Sequence, residues 1–263
     1  MKMFATRLAA TMFCAVSFFT PQAKAYDTAQ SHSEFPWQVS LWHAQLGGHF
    51  CGAVLVAPNW ALGVANCFRD GNNAPYHANL DEVTVIIGAT DLTEGGERFG
   101  IEQLIVHPGY DPANQRNNIA LLKLSGSTTL GRAIDLPESG RAVGDGELLR
   151  IAGWGITAVG DSMEINGEMK VVTLPAVAKA VCNAPEGYGG AVTDDQLCAG
   201  FIEGGEDACQ GFSGSAAIHV TDAVPALAGL AAWGYGCGTP KKVGVYTRAS
   251  SFTDWIRDTI AAN

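Results

Sequence analysis

Basic residues are scarce in this sequence: 16 Lys and Arg stand against 26 Asp and Glu, a formal charge of −10 over 263 residues. A chain of this sign repels phosphate backbones and anionic head groups, so neither nucleic acid nor membrane is expected as a partner. Long apolar runs are also missing. The longest, residues 8–19, falls well short of the roughly 20 residues that a membrane-spanning helix needs. No two cysteines lie at the close spacing usual for zinc ligands, which argues against a structural metal site. Internal repeats, linkers and low-complexity tracts are absent too, so residues 26–263 read as one unit without a separate module.

Residues 1–25 have the composition of a cleaved secretory leader. Lys2 and Arg7 precede the apolar run, and the segment ends Ala23-Lys24-Ala25. Cys14 follows the bulky Phe13, which does not suit a lipid-anchoring site, where a small residue is wanted. Cleavage would remove Lys2, Arg7 and Lys24 and no acid, leaving 13 basic residues against 26 acidic ones and a formal charge of −13. The expected destination is extracellular, or periplasmic in a bacterium. In that oxidising setting the six remaining cysteines, Cys51, Cys67, Cys182, Cys198, Cys209 and Cys237, read as three disulfides, for which spacing alone leaves 15 pairings open.

Many short apolar runs separated by turn residues predict an all-β fold. Val83–Ile87, closed by Gly88, is the clearest, followed by residues 119–124, 148–152, 169–174, 227–233 and 243–248. The C-terminus differs. Ser251 with Asp254 three residues on resembles a capping box, and Phe252, Trp255, Ile256 and Ile260 share one helical face, which predicts a short terminal helix.

Several patterns then coincide in order. Glu34-Phe35-Pro36-Trp37-Gln38-Val39-Ser40-Leu41 is similar to the first strand of the chymotrypsin and trypsin family of serine proteases. His49-Phe50-Cys51-Gly52 through Ala65-Asn66-Cys67 resembles the segment that ends beside the catalytic histidine. Asn117-Asn118-Ile119-Ala120-Leu121-Leu122-Lys123-Leu124 resembles the strand headed by the catalytic aspartate. Asp207-Ala208-Cys209-Gln210-Gly211-Phe212-Ser213-Gly214-Ser215 resembles the nucleophile loop, and Ala232-Trp233-Gly234 with Gly244-Val245-Tyr246-Thr247-Arg248 resembles the substrate-binding strand and its continuation. The resemblance implies two packed, antiparallel, six-stranded β-barrels with a cleft between them and a short C-terminal helix. It also implies the pairings Cys51 with Cys67, Cys182 with Cys198, and Cys209 with Cys237.

Against that pattern the chain departs where protons are moved. In the family's triad a serine attacks, a histidine takes its proton, and a buried aspartate holds the histidine. Asn66 stands at the histidine position and Asn118 at the aspartate position, and an amide is neither a base near neutral pH nor a charge. Ser213 survives, as an orphan nucleophile or simply as a small residue in a tight turn. His32, His43, His49, His77, His107 and His219 all fall elsewhere. The residue before the serine is Phe212, where active relatives carry an aspartate that pairs with a new terminal ammonium. Near positions 24 to 27, where the family's Ile-Val-Gly-Gly start should fall, this chain reads Lys24-Ala25-Tyr26-Asp27. Ala232 replaces a serine, and Ser215-Ala216 replaces Gly-Pro.

Binding features survive better. The resemblance places the oxyanion-hole donors at Gly211 and Ser213, and the base of a pocket for Lys or Arg at Asp207, with Gly234 and Gly244 leaving it open. Asp207 has a second reading, as a loop carboxylate in a collapsed pocket. The loop 89–94 is too short for the family's calcium site, and neither metal nor cofactor is expected. The expectation is thus a secreted protease homologue with a broken triad, acting as a binding, decoy or regulatory protein toward a protein or peptide: a protease, an inhibitor or a substrate. The alternatives are an endopeptidase or esterase with residual activity toward Lys and Arg substrates, and a purely adhesive role.

Overall fold

The computed structural model describes residues 27–28, 32–69, 80–158, 167–219 and 224–263; the expected leader, the segment 24–26 and His77 lie outside these. A two-residue strand, β1 (Asp27–Thr28), precedes seven strands of the N-terminal half: β2 (Gln38–His43), β3 (Gly48–Ala57), β4 (Trp60–Gly63), β5 (Val83–Ile87), β6 (Glu97–Phe99), β7 (Ile101–Val106) and β8 (Ala120–Leu124). The C-terminal half contributes β9 (Leu148–Gly153), β10 (Lys170–Val177), β11 (Gln196–Ala199), β12 (Ala216–His219), β13 (Leu227–Trp233) and β14 (Gly244–Arg248). Two helices complete the described chain, α1 (Lys179–Cys182) and α2 (Thr253–Ala262).

In the C-terminal half the strand order is β10-β11-β14-β13-β12-β9, and β9 pairs back onto β10, so six strands close into a barrel; β1 is added outside on β10. The N-terminal half has seven short strands in the order β6-β5-β2-β3-β4-β8-β7. There the stretch 97–106 is broken at Gly100 and pairs on both sides, β6 with β5 and β7 with β8, so it makes one bent strand of the expected six. One apolar cluster fills the N-terminal half and continues into the C-terminal half through Trp154, Met169, Ile218 and Leu230, and a second lies within the C-terminal half alone. Leu41, Leu55, Leu62, Ile87 and Leu121 are fully buried in the first, and Leu149, Ile151, Leu174 and Phe212 in the second. Their β-branched and leucine-rich strands meet the requirement of a sheet packed on itself.

The C-terminal helix begins later than its sequence suggests. Ser251 ends a 3-10 turn (Ala249–Ser251), Phe252 is the cap position, and no side chain caps the helix. Packing sets the boundary instead: Phe252 and Ile256 are buried, the His107 ring meets Phe252 and Trp255 edge-on, and the Thr253 hydroxyl donates to Pro137 O at 3.0 Å.

The seam between the halves positions the site. Gly52 N donates to Ser213 O at 2.7 Å, and a Cβ on Gly214 would lie 2.1 Å from Gly52 O, so the backbones touch where only glycine fits. Gln38 Nε2 donates to Ser215 Oγ at 3.1 Å, and Thr247 Oγ1 to Asn118 O at 2.8 Å. The three disulfides form with the pairing that the resemblance implies.

Candidate active site and cation pocket

Asn66, Asn118 and Ser213 arrive from three places: the 3-10 turn after β4 (Ala65–Phe68), the head of β8, and the turn before β12. Asn118 is fully buried; its Oδ1 accepts from Asn66 N at 3.0 Å and its Nδ2 donates to Gln115 Oε1 at 2.9 Å. Asn66 Nδ2 donates to Ala232 O at 3.3 Å, while its buried Oδ1 has no donor among the described residues. Asn66 and Ser213 line the same cavity, of about 280 Å³, with His43, Phe50 and Phe68. Among the described residues the Ser213 hydroxyl makes no hydrogen bond. An amide whose N–H₂ faces a carbonyl can hold a loop but has no lone-pair nitrogen with which to accept the serine proton.

His49 does not supply that base. Its Nε2 lies 2.8 Å from Gly211 O and its Nδ1 2.8 Å from Ser40 Oγ, and burial pushes its pKa down to about 4. Neutral imidazole therefore donates from Nε2 to the carbonyl, and Nδ1 accepts from the hydroxyl. The result is a bolt from the N-terminal half onto the turn that carries Ser213. In that turn Gly211 has φ 90°, a conformation suited to glycine, and among the described residues neither Gly211 N–H nor Ser213 N–H has an acceptor. Two unpartnered backbone donors flanking Phe212 are what anion stabilisation requires.

A second cavity, of about 220 Å³, is lined by Asp207, Ser213, Trp233, Gly234, Gly244 and Tyr246 among others. Asp207 is 5% exposed; its Oδ1 accepts from Ala208 N at 2.8 Å and its Oδ2 from Gly238 N at 3.0 Å. Desolvation outweighs those two donors and raises its pKa to about 6. A Cβ on Gly244 would sit 3.2 Å from Asp207 Oδ1, which shows how a side chain there would crowd the carboxylate. A cation entering this cavity would meet a carboxylate lacking a fixed counter-charge. Phe212 lies behind the wall, fully buried, with Gly153 and Gly155 against its ring.

Some contributors gave no sequence signal. The backbone donors Ala208 and Gly238 belong to no residue type, and Gln115, which anchors Asn118, is a loop glutamine with no motif around it. Tyr188 and Tyr235, by contrast, cluster with Trp233 of the cavity lining, with ring centroids 4.9 to 5.9 Å apart, and the distance of Tyr188 along the chain hid the cluster.

The sequence matches the family model for trypsin over residues 26–256. It is 33% identical over 229 residues to a trypsin of Phaedon cochleariae, covering 86% of this chain and 83% of that one. It is 36% identical over 232 residues to an anionic trypsin of Canis lupus familiaris, covering 87% and 85%, and 35% identical over 239 residues to an anionic trypsin of Bos taurus, covering 89% and 87%.

Proposed function

We propose, from the premise that the chain belongs to the trypsin family, that it is a non-catalytic binding protein which retains the family's cation pocket and has lost its proton relay. The observation that carries this is the amide pair: Asn66 and Asn118 are hydrogen-bonded into the walls, to Ala232 O and Gln115 Oε1, and leave the Ser213 hydroxyl without a base. In active members of the family, changing the aspartate alone costs about 10⁴ in turnover, and losing the base in a related constellation costs about 10⁶. Either loss removes ordinary proteolysis.

The proposed ligand is a Lys- or Arg-bearing segment of a protein, whose side chain pairs with Asp207. The overall acidity of the chain favours the same basic partner. Decoy, inhibitory or regulatory action follows from holding such a segment uncut. We place this protein outside the cytosol, since three disulfides suit an oxidising compartment; among the described residues no helix is long and apolar enough to cross a membrane.

Residual hydrolysis of activated esters is a second reading, favoured by the open Asp207 cavity reaching Ser213. A serine-reactive aryl phosphonate with a cationic side chain separates the two. We expect no labelling; labelling that saturates and disappears in Ser213→Ala establishes the hydrolase instead.

A further inference from the structure

Resting on the reading that the Asp207 cavity takes a cationic side chain, we infer that Phe212 is a positioning residue that holds the cavity wall and the 211–213 turn in ligand-ready shape by apolar contact alone. The ring is 0% exposed and belongs to the same apolar cluster as Ala231 and Tyr246. Both of those residues line the cavity, so ring and ligand space press on one wall from opposite sides.

The seat of the ring is made by absence of side chains. A Cβ on Gly153 would come within 2.8 Å of the ring and one on Gly155 within 2.4 Å. Gly153 closes β9 and Gly155 follows it, leading into residues 156–157, which are laced to the loop that bears Asp207. Asp207 N donates to Thr157 O at 2.8 Å, Cys209 N to Ile156 O at 3.1 Å, and Ile156 N to Gln210 O at 2.9 Å. Phe212 N then donates to Cys209 O at 2.9 Å. The ring thus covers one end of a backbone lace whose other end carries the carboxylate, and it keeps water from the bonds between.

An aromatic ring in a fitted slot needs no ionic partner. The order of this loop is then independent of how the amino terminus is processed and insensitive to salt. A buried carboxylate at the same place would need a cation brought to it.

Hydrogen exchange at the Asp207, Cys209 and Phe212 amides tests this, alongside titration with benzamidine, in the mature chain and in Phe212→Ala and Phe212→Leu. In the parent these amides should be protected. In Phe212→Ala they should exchange about tenfold faster while Leu197 in β11 changes little, and benzamidine affinity should fall about tenfold. Phe212→Leu, which refills the slot, should recover most of both, and a short extension of the parent's N-terminus should alter neither. If the Ala variant does not fold, Phe212→Leu compared with Phe212→Asn decides: Leu keeps the protection and Asn loses it. Unchanged protection and affinity in Phe212→Ala, or protection in the parent that the N-terminal extension abolishes, overturns the inference. Protected amides in a parent that binds no benzamidine overturn the cation-pocket reading and leave the role of Phe212 standing.

Discussion

The two halves of the molecule bring unequal goods to the cleft they share. From the N-terminal half come Asn66 and Asn118, amides closed into hydrogen bonds with one another's neighbourhood. From the C-terminal half come a buried carboxylate, a cavity bounded by glycines and, without partners among the described residues, a hydroxyl and two N–H donors. Proton transfer needs particular groups at particular places, and one substitution ends it. Binding needs a shape and a charge, which a framework of strands and disulfides preserves passively. The difference between the halves is therefore a difference between chemistry that tolerates no change and recognition that tolerates much.

The sharpest way to test that contrast is to repair only the deficient half. Asn66→His together with Asn118→Asp should produce Ser213-dependent hydrolysis of a Lys ester, on the order of 10⁴-fold above the parent. Asn118→Asp alone should produce none. Steady-state kinetics with Ser213→Ala as control measures it; a double variant as inert as the parent would show that the C-terminal half is not competent, and the comparison would fail.

Next in size is the loss of cation binding. Removing one partner of a desolvated ion pair typically costs about 3–5 kcal/mol, so Asp207→Ala should weaken benzamidine by roughly 10² to several times 10³. In the parent, affinity should hold above pH 6 and fall about tenfold per pH unit below it, because the free carboxyl titrates near 6 and only its ionised form attracts the amidine. Calorimetry across pH 4.5 to 8 reads both effects on the order stated.

The same carboxylate should act oppositely on the empty protein. Its folded pKa, about 6, lies above the ordinary value of 3.8, so the folded state prefers the protonated form. Stability from this group is gained as pH falls through 6 and is fully present below the ordinary value, while above 6 the buried charge is a penalty of roughly 3 kcal/mol. Asp207→Asn should therefore remove this pH dependence of the melting temperature and abolish the ligand-induced rise at pH 7.5. A smaller effect should come from the seam: Ser215→Ala leaves Gln38 Nε2 with only a 3.4 Å contact to Val39 O and should cost about 1–2 kcal/mol in urea unfolding.

How far the sequence spoke depended on the kind of physics involved. Val83–Ile87 was legible because its β-branched residues encode a local preference that packing then endorses, and Leu227–Trp233 because a short continuous apolar run suits a strand buried on both faces. The partner switch at Gly100 was not, because it depends on which strand each flank meets across space. Ser251 misled for a related reason: its capping pattern is local, whereas burial of Phe252 and Ile256 fixed where the helix starts. In the site, Asn66, Asn118 and Ser213 could be placed by motif. Whether the Asp207 pocket stood open could not, since that rests on Ala208 N, Gly238 N and the unseen ring of Phe212 behind the wall.

The two cavities of the cleft share one described lining residue, Ser213. A segment with side chains in both would lie across that hydroxyl and, on the function proposed here, stay whole. Nothing but dissociation would end its stay, so its residence time would equal the inverse of its off-rate. Such a protein works by stoichiometry: one copy silences one target, and its effect in a secreted mixture scales with its abundance relative to that target instead of with any turnover number.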